Sequence, residues 1–128
     1  MRRIASALFF LIILFLGIIY VANHHRRKID GLSGEIYGLL LSTDTHYASN
    51  YSHQSFSKVK KGMTEKEVLS LLGEPLYRSQ VPQKANQSVL DYDKWFYSRS
   101  PSNTHYRIRQ IKFREGKVSK LIGYFWVD

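Results

Sequence analysis

Hydrophobic and polar positions divide the chain into three stretches. From Ile4 to Ala22 the residues are apolar without a single charge, close to the ~20 residues a helix needs to cross a bilayer. From Ile29 to Leu40 apolar residues recur at helical spacing, at Ile29, Leu32, Ile36, Leu39 and Leu40, with Gly31, Gly34 and Gly38 interrupting them. This predicts a continuation of the first helix, or a short helix against the membrane or the domain. Residues 42–55 are polar and aperiodic and read as a linker. From residue 53 the pattern is that of a small α+β unit.

That unit begins with a helical turn or two over 55–60, Phe56 and Val59 on one side. A helix over 65–72 follows with its start and stop signals written out. Thr64 is the N-cap and Glu67 completes a capping box. Met63 and Val68 stand at the spacing of a hydrophobic staple. Gly73 suits a left-handed C-cap, and Pro75 prevents continuation. Val68, Leu71 and Leu72 share a face. Strands are predicted at 76–81, 91–98, 106–114 and 118–127, with a polar loop at 82–88 and Pro101-Ser102-Asn103 in a connection. Arg114-Glu115-Gly116-Lys117 is a tight turn, Gly116 at positive φ. The expected core is Phe56, Val59, Val68, Leu71, Leu72, Trp95, Ile111, Phe113, Leu121 and Phe125. Ile108 and Ile111 have opposite parity, which predicts a bulge near Arg109 or Gln110.

The stretch Gly62, Met63, Thr64, Val68, Leu71, Leu72, Gly73, Pro75 resembles the Gly-Met-Thr-x-x-x-Val-x-x-Leu-Leu-Gly-x-Pro signature of the SmpA/OmlA (BamE-like) domain family of bacterial envelope proteins. The aromatic strand Trp95-Phe96-Tyr97 and the Phe113-x-x-Gly116-x-Val118 hairpin follow in the family's order. The resemblance covers about residues 53–128. It implies two short helices on a three- to four-stranded antiparallel sheet, a periplasmic location, and a role in outer-membrane protein assembly or envelope maintenance. The family's best-known member is a lipoprotein; this sequence has no Cys, so it lacks the lipidated residue and has the apolar run instead.

The expected organisation is a cytoplasmic tail at 1–3, a transmembrane anchor at 4–22, a basic juxtamembrane segment and linker at 23–52, and the BamE-like domain at 53–128. A cleaved signal peptide competes with the anchor, but 18–23 offer a poor cleavage site. Basic residues nearly tie across the anchor: Arg2 and Arg3 precede it, and Arg26, Arg27 and Lys28 follow. The resemblance, rather than the charges, places the chain in the bacterial inner membrane with the domain in the periplasm.

Composition removes several functions. Without Cys there is no disulfide framework, thiol nucleophile or Cys–zinc site. His24, His25, His46, His53 and His105 show no ligand spacing, so neither a metal nor another cofactor is expected. Residues 31–35 lack the second glycine position of a nucleophile elbow, and Asp91 and Asp93 read as a solvated strand end. A non-enzymatic role is the expectation. The formal charge is +9, from 19 Lys and Arg against 10 Asp and Glu, and much of it falls in the C-terminal strands. Tyr97, Tyr106, Arg107, Arg109, Tyr124 and Trp126 are the candidate protein-binding residues, Tyr, Trp and Arg being the usual interface anchors. Arg26, Arg27 and Lys28 are the candidate contacts to anionic phospholipid. The last strand, if an edge, offers its backbone to a partner sheet. Two other functions suit the same residues. One is an inhibitor or immunity protein, since the helix–sheet unit also resembles the repeats of β-lactamase inhibitory proteins. The other, which a membrane anchor disfavours, is a cytoplasm-facing binder of nucleic acid or anionic lipid.

Overall fold

The computed structural model describes residues 2–80, 93–102 and 104–127. Its helices are α1 (Arg2–Ala22), α2 (His24–Leu40), α3 (His53–Lys58) and α4 (Glu65–Leu72). Its strands are β1 (His46–Tyr47), β2 (Tyr77–Gln80), β3 (Asp93–Phe96), β4 (Ser98–Arg99), β5 (Tyr106–Arg114) and β6 (Lys117–Trp126). The architecture is α+β. A four-stranded antiparallel sheet runs β2-β3-β5-β6, and β1 pairs with β4 in a second, two-stranded sheet. The expected loop at 82–88, and Asp91 with it, lies outside the described residues.

The local signals in α4 act as their chemistry dictates. Thr64 Oγ1 accepts from the Glu67 N–H at 3.3 Å, and Glu67 Oε2 accepts from the Thr64 N–H at 2.7 Å. These bonds to Thr64 hold the Glu67 carboxyl below its usual pKa. Gly73 ends the helix at φ 69°. The segment before the cap has a second task. Gly62 donates to the Val118 carbonyl at 2.8 Å, and Val118 donates to the Met63 carbonyl at 2.8 Å. The Gly-Met-Thr segment therefore clips α4 to the start of β6. The β5–β6 turn is a two-residue hairpin with Glu115 at φ 53° and Gly116 at φ 71°, both left-handed, as the twist of the flanking strands demands.

Alternation along the strands gives the sheet an inner and an outer face. Trp95, Ile111, Phe113 and Val118 lie inward, buried with Phe56 and Val59 of the α3 region and Val68 and Leu72 of α4. Phe125 is buried as well, whereas Leu71 and Leu121 are only half-buried. Two features differ from expectation. The strand foreseen at 91–98 breaks at Tyr97, whose ring turns inward so that its hydroxyl donates to the Gly73 carbonyl at 3.0 Å. The register shift falls between Lys112 and Phe113 rather than near Arg109. It leaves Ser119 of β6 unpaired, its hydroxyl donating to the Lys112 carbonyl at 3.0 Å. The parity of Ile108 needs no bulge, because Ile108 is buried on the outer face.

The segment foreseen as juxtamembrane chain and linker is built into the fold. β1 pairs with β4, Ala48 donates to the Tyr97 carbonyl at 3.0 Å, and Tyr47 stacks on Tyr51 with ring centroids 4.7 Å apart. α2 packs over the inner side of β6. A Cβ on Gly34 would come within 2.6 Å of Asp30 Cβ and 3.3 Å of Phe125 Cβ, and one on Gly38 within 2.4 Å of the Arg107 guanidinium. The glycines that weaken α2 as an isolated helix are thus what lets it approach the sheet. Gly31, at φ 72° and ψ 179°, kinks it.

Candidate interaction surface

Arg107 and Arg109 have the same parity in β5 as Ile111 and Phe113, so their side chains enter the inner face. Both are buried, Arg109 completely. α2 neutralises them. Asp30 accepts from Arg107, and from Arg109 Nη2 at 2.9 Å. Arg109 Nη1 also lies 2.9 Å from the second Asp30 oxygen. Glu35 accepts from Arg107 at 3.2 Å. Arg109 Nε donates to Tyr51 Oη at 2.8 Å, and Tyr51 Oη lies 2.9 Å from His53 Nδ1. Two carboxylates thus face two guanidiniums in a charge-balanced, buried cluster, as burying such charges requires.

The cluster tunes its neighbours. Burial pushes the Tyr51 phenol above its ordinary value, as it does the Tyr47 phenol. Burial, then the positive charge of Arg109, lowers His53 to about 4, so His53 is neutral near pH 7. Burial opposes the charge of Arg109, but Tyr51 and Asp30 outweigh it and raise its pKa.

The outer face is of another kind. Tyr77 stacks on Phe96 with centroids 4.2 Å apart. Tyr106 stands opposite Trp126, and Ile108 opposite Tyr124. Partial burial, then the phenols of Tyr77 and Tyr124, raise the Tyr106 pKa. Tyr124 and Trp126 remain 44% and 43% exposed. Beside the aromatic group, Lys94, Lys112 and Lys120 stand in register across three strands. Like charges directly opposite in a sheet repel, which makes this row complementary to an acidic surface.

Of the six residues expected to bind a partner, Tyr124, Trp126 and the half-buried Tyr106 share the outer face. Tyr97, Arg107 and Arg109 do not: they point inward and are spent on Gly73, Asp30, Glu35 and Tyr51. The expectation fails for these three because strand parity and distant partners decide where they go: the Gly73 carbonyl for Tyr97, and carboxylates some 70 residues away for the arginines. The sequence does hold a hint, since Asp30 and Glu35 are the only acidic residues before Asp44. Tyr77, Phe96 and Lys94 belong to the outer face and were not anticipated. Of the expected lipid contacts, Arg26 and Lys28 are exposed, while Arg27 lies over the Tyr20 ring, 4.6 Å from its centroid. Gly62, Met63, Thr64, Glu67, Val68, Leu72 and Gly73 serve the cap, the clip and the core, away from the outer face.

The chain matches no family model, no curated protein and no solved structure. Among the described residues no single helix is long and apolar enough to cross a membrane; α1 and α2, bent by 98°, reach that length and composition only as a pair.

Proposed function

We propose that this chain is a non-catalytic interaction module, anchored in the bacterial inner membrane through α1 and presenting a BamE-like domain to the periplasm, where it binds another envelope protein. The observation that carries the reading is the outer sheet face, with exposed Tyr124 and Trp126 grouped with Tyr77, Phe96 and Tyr106 beside the lysine row. Grouped aromatic residues with a charged margin are the anatomy of a protein-binding patch. The lysines favour a partner with an acidic surface. Leu8 to Leu16 and Ile18 are exposed on α1, a surface suited to lipid rather than water. Arg26 and Lys28 stand where anionic headgroups would meet them.

Two measurements test the proposal. Reporters fused after Asp128, one active only in the periplasm and one only in the cytoplasm, give the orientation; periplasmic signal is expected, and cytoplasmic signal overturns it. Photo-crosslinking from positions 124 and 126 in intact cells should capture an envelope protein that a probe at Lys58 does not. Capture of one soluble enzyme, with loss of its activity, would instead make this an inhibitor or immunity protein.

A further inference from the structure

In most surface helices of globular domains the apolar stripe faces the core. α2 is reversed. Asp30, Gly34 and Glu35 are its buried residues, held by Arg107 and Arg109. Leu32, Ile36, Leu39 and Leu40 are exposed, Leu39 to 83% and Leu40 to 75%. At about 100° per residue these four form one stripe opposite Gly34 and Gly38, with Glu35 at its edge. Asp30, Gly34 and Glu35 thus meet the domain beside Ile29, which packs against the core, while Leu32, Ile36, Leu39 and Leu40 stay exposed.

Two further observations say what covers that side. α1 and α2 are bent by 98° at their junction, so an α1 standing across a bilayer would turn α2 towards the bilayer plane. The exposed apolar surface of α1 also runs through Val21 and resumes at Leu32, with only the basic stretch of exposed Arg26 and Lys28 between them. Cations between two apolar surfaces match a headgroup layer, where Arg and Lys reach towards phosphates while neighbouring apolar side chains enter the acyl region.

We infer that α2 lies flat in the membrane interface, with Leu32, Ile36, Leu39 and Leu40 among the lipids, and seats the sheet on the bilayer through the Asp30 and Glu35 ion pairs. The occupant of the exposed stripe is the bilayer surface, not a second protein. The geometry gives the domain one orientation to the membrane: the inner face of the sheet towards α2 and the lipid, the outer aromatic face away from it. A Cβ on Gly34 would crowd Phe125 of β6, and one on Gly38 the Arg107 guanidinium of β5, so the two glycines let α2 lie this close to the sheet. This inference rests on the reading of α1 as an anchor.

The chain has no Cys, so introduced thiols report alone. Full-length variants Leu14→Cys, Ile36→Cys, Leu40→Cys and Tyr124→Cys, each carrying a polarity-sensitive fluorophore, are placed in nanodiscs containing brominated phospholipid. Labels at 14, 36 and 40 should be quenched several-fold more strongly than the label at 124. Quenching at 14 without quenching at 36 and 40 overturns the interfacial position of α2 and leaves the anchor intact. Quenching at none of the three overturns both. Labels at 36 and 40 stand at exposed positions, so the fold should tolerate them, and a far-ultraviolet spectrum unchanged from the parent verifies it. As a second variant, Ile36→Glu with Leu40→Cys should lose quenching at 40; undiminished quenching there counts against seating through this stripe.

Discussion

α4 and α2 are both amphipathic helices packed on the inner face of one sheet, and they pack in opposite senses. α4 turns Val68 and Leu72 inward until neither is accessible, and its polar side meets water. α2 turns Asp30 and Glu35 inward and leaves its leucines outside. The difference lies in what the sheet presents beneath each helix. Under α4 are Trp95, Ile111 and Phe113; α2 meets two guanidiniums beside Gly123 and Phe125. A helix face is chosen by complementarity to its neighbour, and a buried Arg pair demands carboxylates more strongly than the apolar residues of α2 demand burial. Unpaired buried charge costs several kcal/mol, against about 1.5–3 for exposing one large apolar side chain, and lipid can remove even that penalty.

The contrast can be broken in graded ways. Asp30→Ala strands Arg109 and leaves Arg107 only Glu35, and should lower unfolding stability by about 3–5 kcal/mol, measured by denaturant titration of the full chain in detergent, with α2 releasing first in hydrogen exchange. Leu72→Ala in α4 should cost about 2–5 kcal/mol through its cavity, with α2 exchange protection retained. Thr64→Ala removes one half of the capping box and should cost about 0.5–2 kcal/mol, fraying α4 and its clip to β6 while leaving α2 unchanged. A smaller effect is expected from acid. His53 has a folded pKa near 4 against an ordinary 6.5, so the unfolded chain takes up the proton first. Stability should fall as pH drops from about 6.5 towards 4, be insensitive to this group above that window, and lose this slope in His53→Gln. Leu39→Ser on the exposed side of α2 should change stability in detergent by no more than about 0.5 kcal/mol. A loss comparable to that of Leu72→Ala would mean that the two helices pack alike after all.

How much was legible depended on the range of the interaction that decided each feature. The cap at Thr64 and Glu67, the stop at Gly73 and the Glu115-Gly116 turn lie within a few residues of their partners, so spacing alone reveals them. The apolar residues expected in the core are buried or half-buried. The candidate surface divided in two. Tyr124 and Trp126 are exposed as expected, while Tyr97, Arg107 and Arg109 were assigned outward by composition and point inward. Their partners lie far along the chain: Gly73 for Tyr97, Asp30 and Glu35 for the arginines. The polar run at 42–55 reads as linker because β1 is two residues long and its pairing depends on β4, more than fifty residues later.

The sequence by itself determined the α+β composition of the domain, the limits of α4, the β5–β6 hairpin and the apolar character of α1, all of them consequences of backbone preference or of patterns that repeat within one element. Only the tertiary structure decided which face of α2 meets the sheet, which basic residues are structural, and which aromatic residues remain at the surface. Those outcomes turn on charges and glycines brought together from distant parts of the chain, where a guanidinium is stable in the interior only if a carboxylate arrives with it.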